Sequence, residues 1–203
     1  MQTKGIVDGV VYLHSRNPPV IHGDLHDRNI LITVSGDPLI CDFGLSHINH
    51  SIPRTNTTHS EGGYPRFVAP ELSSGAEPYS NEASDIYSLG MTIYSLGVGK
   101  KPFWKIKIAA QAQRLLESGR RPEPEAVSQS VNDSETFRGL DAHSTSKLWL
   151  LLPQMWAHKP AERITAIAVR KELVLSGLII LSPLRAEPLK TNPRPGSYCF
   201  SPP

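Results

Sequence analysis

The chain has 203 residues, 39% hydrophobic and 20% charged, with a formal net charge of +2. That composition fits one soluble globular domain with a real core. The charge is too small, and Lys and Arg too scattered without an aromatic-interleaved basic stripe, to argue for nucleic acid. The two cysteines, Cys41 in an apolar run and Cys199 near the end, leave no readable disulfide framework or metal knuckle.

The start, MQTKGIVDGVVYLHS, lacks the apolar core and cleavage site of a signal peptide. Ile6, Val7, Val10, Val11 and Tyr12 or Leu13 recur at helical spacing and predict a helix to about Ser15, ended by Pro18 and Pro19. Short apolar runs at 20–21, 30–33 and 38–41 predict strands, with SGD at 35–37 as a hairpin turn. Residues 45–65, rich in Ser, Thr, Asn, Gly and Pro, read as a long loop, functional or disordered. From Glu82, EASDIYSLGMTIYSLGVG is apolar on more than one face, the pattern of a buried helix.

KIKIAAQAQRLLESG predicts a helix stopped at Gly119, and 120–142 a polar connection. STSKLWLLLPQMW and AERITAIAVRKELVLS predict two more helices. Pro153 should kink or shorten the first, and Pro160 should start the second. The Pro-rich end, 178–203, reads as an unfolded tail. The longest apolar stretches, LWLLLPQMW and LVLSGLIIL, fall short of the about 20 residues of a membrane-spanning helix. The expectation is a cytoplasmic or nuclear protein without a membrane segment, in a reducing compartment. The fold class expected is mainly α with a small β-hairpin region near the front.

One stretch asks for more than a solvated turn. VIHGDLHDRNILI, 20–32, packs Asp24, His26, Asp27, Arg28 and Asn29 between two apolar runs. CDFGLS follows with Asp42, Phe43 and Gly44, then VAPEL with Glu71, then SDIYSLG with Asp85, and finally MWAHKPAERI with Trp156 and Arg163. Each string alone is weak. Together and in this order, from about Gly5 to about Leu175, they resemble the C-terminal lobe of a eukaryotic-type protein kinase.

The resemblance implies a kinase-like C-lobe over 1–177 with the N-lobe absent, and ATP- and Mg²⁺-dependent phosphorylation of protein Ser, Thr or Tyr hydroxyls. It makes Asp24 the base or orienting carboxylate. Asn29 and Asp42 become Mg²⁺ ligands, which suits a hard cation that takes few oxygen ligands plus water. Leu31 becomes the residue under the adenine ring, and Phe43 and Gly44 complete the nucleotide-binding set. His22 and Phe43 correspond to the lower members of a hydrophobic spine. Asp85 corresponds to the buried acid holding the loop backbone, and Glu71 with Arg163 to a family ion pair. A protein substrate or regulatory protein is the implied partner.

Three departures bear on mechanism. Gly23 stands where the family usually has the Arg that docks a phosphorylated activation loop. His26 replaces a Lys that contacts the transferring phosphate, and Tyr64 replaces the Thr that partners that Lys. Altered substrate choice and loss of catalysis both remain open. The surroundings of Arg66 and Phe67 resemble the tyrosine-kinase-like group. HGDLH also resembles the loop of aminoglycoside and choline phosphotransferases, but those lack GYPRFVAPEL and SDIYSLGMTIYSL.

Nothing before His22 matches the Gly-rich phosphate flap, its lysine or the paired helix Glu. The chain alone is therefore expected to transfer phosphate weakly or not at all, and to expose an apolar face that invites a partner. A pseudokinase-like binding module is the competing reading. Met1 falls in the first predicted helix, where the family's chain continues, so a longer protein is a further expectation.

Overall fold

The computed structural model describes residues 3–48, 64–77, 79–122, 142–176 and 199–200. Helix α1, Thr3–His14, buries Ile6, Val7, Val10 and Leu13 along one stripe and stops before the two prolines. Strand β1, Val20–Ile21, leads into the polar loop, which ends in a tight turn at Asp27–Asn29. Strands β2, Ile30–Ile32, and β3, Pro38–Cys41, pair antiparallel, with Ile30 opposite Ile40 and Ile32 opposite Pro38. Thr33 N–H donates to the Asp37 carbonyl at 2.8 Å across the turn.

Two further strands fall in segments expected to be loop and tail. Strand β4, His47–Ile48, pairs with β1, and strand β5, Cys199–Phe200, pairs with β3. The expectation of an unfolded tail over 178–203 is thus corrected at Cys199–Phe200. The rest of that tail lies outside the described residues, as do 49–63 and 123–141 of the two predicted connections.

The remaining helices are α2, Pro70–Ser73, α3, Glu82–Val98, α4, Ala109–Glu117, α5, Ala142–Met155, and α6, Ala166–Leu175. Helix α3 is the axis of the core. Asn81 caps it reciprocally with Ser84, and Gly99, at φ 67°, ends it. Ile86, Tyr87, Leu89, Met91, Ile93, Tyr94 and Val98 are all buried, as the two-faced pattern requires. Helix α1 packs against α6, β3 and α3, and α5 packs against α3.

Helix α5 ends at Met155, two residues past Pro153. The other proline expectation needs correction. Pro160 opens a short 3₁₀ turn, Pro160–Glu162, and α6 starts later, capped by the Thr165 side chain accepting from Ala168 N–H. Among the described residues, no helix is long and apolar enough to cross a membrane.

A buried ion pair closes the lower half. The Arg163 guanidinium donates two bonds to the Glu71 carboxylate, at 2.6 and 2.7 Å, and a third to the Ala83 carbonyl at 3.0 Å. The pair ties α2 to the turn before α6 and to the first turn of α3. Its loss on one side would leave an uncompensated buried charge.

Gly90 lets α3 meet the end of α5. A Cβ there would lie 2.6 Å from Trp156 Nε1 and 3.1 Å from Met155 Cβ. Glycine in a helix interior costs about 1 kcal/mol against alanine, so the close approach must be worth more. Gly90→Ala should therefore lower stability by about 1–3 kcal/mol despite its better helix propensity. Urea denaturation reads this directly; unchanged or greater stability would show that Trp156 yields freely.

Candidate active site

The polar loop is set by one carboxylate from the core. Asp85, in the first turn of α3, accepts from His22 N–H at 2.8 Å and from Gly23 N–H at 2.9 Å. His14, the last residue of α1, places Nε2 3.1 Å from the same carboxylate. Burial alone would raise the Asp85 pKa. The His14 hydrogen bond and charge, with the Gly23 N–H, outweigh that and hold it below the usual carboxylate range. Gly23 takes φ 77°, a left-handed conformation that glycine adopts without strain.

Within the loop each polar group has a local partner. His22 Nδ1 accepts from Asp24 N–H at 3.2 Å while Nε2 faces the Cys41 carbonyl at 3.1 Å. These partners assign the ring proton to Nε2. Asn29 Nδ2 donates to the Asp24 carbonyl at 2.9 Å and closes the loop on itself. His26 Nδ1 accepts from Arg28 N–H at 3.2 Å, so its Nε2 carries the ring proton toward Asp24. That Nε2 is 3.6 Å from Asp24 Oδ2, within ion-pair range but too long for a direct hydrogen bond.

The hairpin brings the second acid. Pairing of Ile30 with Ile40 sets Asn29 beside Cys41, whose thiol lies 3.4 Å from the Asn29 carbonyl. Asp42 is the next residue, exposed, at φ 63° and ψ 70°. Its side chain accepts from Gly44 N–H at 3.4 Å. The Phe43 ring tilts against His22 with centroids 5.0 Å apart. Leu31, on β2, is 45% exposed and therefore open to a ligand.

The structure thus gathers Asp24, His26 and Asn29 in one loop and sets Asp42, Phe43 and Gly44 at the end of the adjoining hairpin. Among the described residues, no group of three or more His, Cys, Asp or Glu forms a metal cage. Asn29, just before β2, and Asp42, just after β3, offer an amide and a carboxylate oxygen. Such a pair fits Mg²⁺, which keeps waters and takes other oxygens from a phosphate ligand.

The comparisons decide the family. The protein kinase domain model matches residues 1–174. The chain belongs to the protein kinase family. It is 35% identical over 122 residues to a probable serine/threonine-protein kinase of Dictyostelium discoideum, covering 60% of this chain and 13% of that protein. It is 38% identical over 104 residues to the serine/threonine-protein kinase CTR1 of Arabidopsis thaliana, covering 51% and 12%. It is 34% identical over 98 residues to the human serine/threonine-protein kinase STK11, covering 48% and 22%. The chain therefore spans less than a quarter of the length of these relatives.

In this kinase domain the two substituted positions touch. The His26 and Tyr64 rings stack, with centroids 3.9 Å apart and planes 29° from parallel. His26 is only 4% exposed. His26 is thus part of a packed ring pair with Tyr64.

Sequence reasoning missed two groups here. His14 sits at the end of an amphipathic stripe and gives no local sign of its distant partner. Arg66 is buried and donates to the carbonyls of Pro102 at 2.8 Å, Phe103 at 2.6 Å, Ile106 and Lys107. Those bonds hold 102–107 in turns, which is why α4 begins at Ala109 rather than within KIKI. The view of Lys as merely scattered is corrected too. KKPFWKIK, 100–107, has four lysines, two aromatics and no acid, a run visible in the sequence.

Asp85 yields a signed prediction. Its pKa falls on folding, so its stabilisation is complete above the unfolded value of 3.8 and is lost as pH falls from there through the lower folded value. Asp85→Asn leaves a backbone N–H facing a donor and should cost about 3 kcal/mol near neutral pH. The gap between wild type and variant should stay flat above the carboxylate range and narrow below pH 3.8. Chemical denaturation across pH measures it; a gap that widens in acid would refute this role.

Proposed function

We propose that this kinase domain transfers the γ-phosphoryl group of ATP to a serine or threonine hydroxyl of a protein. The observation that carries this reading is the loop itself: Asp24 and Asn29 are locked together and fixed from below by Asp85, with Asp42 delivered beside them. The names of the relatives support Ser/Thr specificity. The buried Glu71–Arg163 pair, anchored in VAPEL, favours a protein over a small-molecule substrate.

Phosphoryl transfer asks the protein chiefly to position groups and neutralise charge. Asp24 orients the acceptor hydroxyl and takes its proton as the oxygen attacks phosphorus and the bond to ADP breaks. Asn29 and Asp42 would hold Mg²⁺, which supplies charge neutralisation at the phosphates. Leu31 would lie against the adenine, with Phe43 and Gly44 setting the direction of Asp42. His26, with Nε2 3.6 Å from Asp24 Oδ2, would help to keep that carboxylate in place.

The described elements correspond to the substrate-side, C-terminal lobe. The phosphate flap and its lysine have no counterpart among these residues, so residues 1–203 alone are expected to transfer phosphate weakly or not at all. A non-catalytic, pseudokinase-like role is the second reading. The observation favouring it is the burial of His26, which leaves no loop lysine to reach the transferring phosphate.

The test uses the protein isolated from its source cells, with whatever chain surrounds these residues. Asp24→Asn should lower Mg-ATP-dependent phosphorylation of protein substrates by about 10²–10⁴-fold, with melting unchanged. Asp42→Ala should abolish the melting shift produced by Mg-ATP. No wild-type transfer and no nucleotide shift would overturn the catalytic reading in favour of the binding module.

A further inference from the structure

We propose that the segment Lys100–Lys107, together with Arg28, is an acid-recognising surface that selects protein substrates carrying Glu or Asp beside the acceptor hydroxyl. The inference rests on the kinase reading for its setting, and on three separate observations for its content.

The first is charge. Arg28, Lys100, Lys101, Lys105 and Lys107 are all exposed, and among the described residues none of them forms an ion pair. The chain carries a formal net charge of only +2, so this cluster of five cations, with no acidic partner among the described residues, is a local excess. A folded surface normally mixes signs; a cationic patch concentrates anionic ligands.

The second is position. Tyr64 stacks on His26, whose Nε2 is 3.6 Å from the Asp24 carboxylate. The guanidinium of Arg28 and the ammonium of Lys101 lie 5.1 and 5.0 Å from the centre of that same Tyr64 ring. The cations are thus two side chains away from the group that orients the acceptor. Arg66 then fastens the lysine segment to the stretch bearing Tyr64 through four main-chain carbonyls. The patch cannot drift from the site without breaking those bonds.

The third is order. Lys100 Nζ sits 4.0 Å from the Trp104 ring centre, and Lys105 Nζ sits 5.6 Å from it. Trp104 is 40% exposed, held out as a platform under the two ammonium groups. Cation–π contacts limit the freedom of long side chains. Part of the entropy cost of gripping a carboxylate is then already met before binding. Solvated lysines serving only solubility would have no need of such seats.

The experiment again uses the protein from its source cells. Three fluorescent peptides share a central Ser flanked by Glu, by Gln or by Lys, and binding is read by polarisation. The Glu peptide should bind about tenfold tighter than the Gln peptide, the sum of a few exposed ion pairs, and lose that advantage in high salt. Lys101→Glu with Lys105→Glu should erase the preference, and the milder Lys100→Ala with Lys105→Ala should reduce it. Lys171→Glu, exposed on α6, should leave it intact.

Equal binding of the three peptides, or a preference untouched by the lysine variants, would overturn the proposal. So would displacement of the Glu peptide by a single-stranded oligonucleotide at lower concentration than by unlabelled Glu peptide. Phosphorylation of the peptides is scored separately. A Glu peptide that binds selectively but is not phosphorylated upholds the surface and defeats the kinase reading. Equal phosphorylation of all three upholds the kinase reading and defeats the surface.

Discussion

The site hangs on a single buried carboxylate. Asp85 brings a negative charge into the core and has it met on three sides, by His14 from α1 and by the N–H groups of His22 and Gly23. An ionised group so placed is tolerable only when fully engaged. That demand fixes where α1 ends, how α3 begins and which way the polar loop faces. Asp24 and Asn29 inherit their positions from it, since the loop is closed by Asn29 onto the Asp24 carbonyl. Cys41 and Ser46 then tie the hairpin to the same loop, through His22 Nε2 on the Cys41 carbonyl and Ser46 Oγ on the His22 carbonyl.

Much of this was legible in the residues, for identifiable reasons. HGDLHDRN and CDFG announce themselves because chemistry fixes both residue types and spacing. Helix α3 was legible because a helix buried on most of its surface carries apolar residues on more than one face. The hairpin followed from two apolar runs around Ser35-Gly36-Asp37. Strands β4 and β5 were not legible, because two residues show no alternation and their partners lie far away in sequence. The late start of α4 was hidden because the capture of carbonyls 102–107 by Arg66 is tertiary. His14 was hidden likewise: a histidine on an amphipathic stripe looks the same whether or not an acid awaits it.

The departures from the family pattern gain a physical sense together. His26 and Tyr64 replace a cation and its hydroxyl partner with two stacked rings. Ring stacking and burial compensate for the lost charge as far as packing is concerned. Positive charge has not left the neighbourhood: Arg28 and Lys101 flank the Tyr64 ring. Gly23 takes its left-handed position without strain, at the place where the resemblance expects an arginine.

The anchoring contacts also have a temporal meaning. His14 and Asp85 are 71 residues apart, His22 and Asp85 63, and Glu71 and Arg163 92. Contacts of such range close large loops and slow the search for the native state. On a growing chain the polar loop emerges long before α3 and must wait for it unpinned. Nascent copies would carry every residue of the site in sequence and none of its geometry, leaving folding order, rather than residue content, to decide when the site first exists.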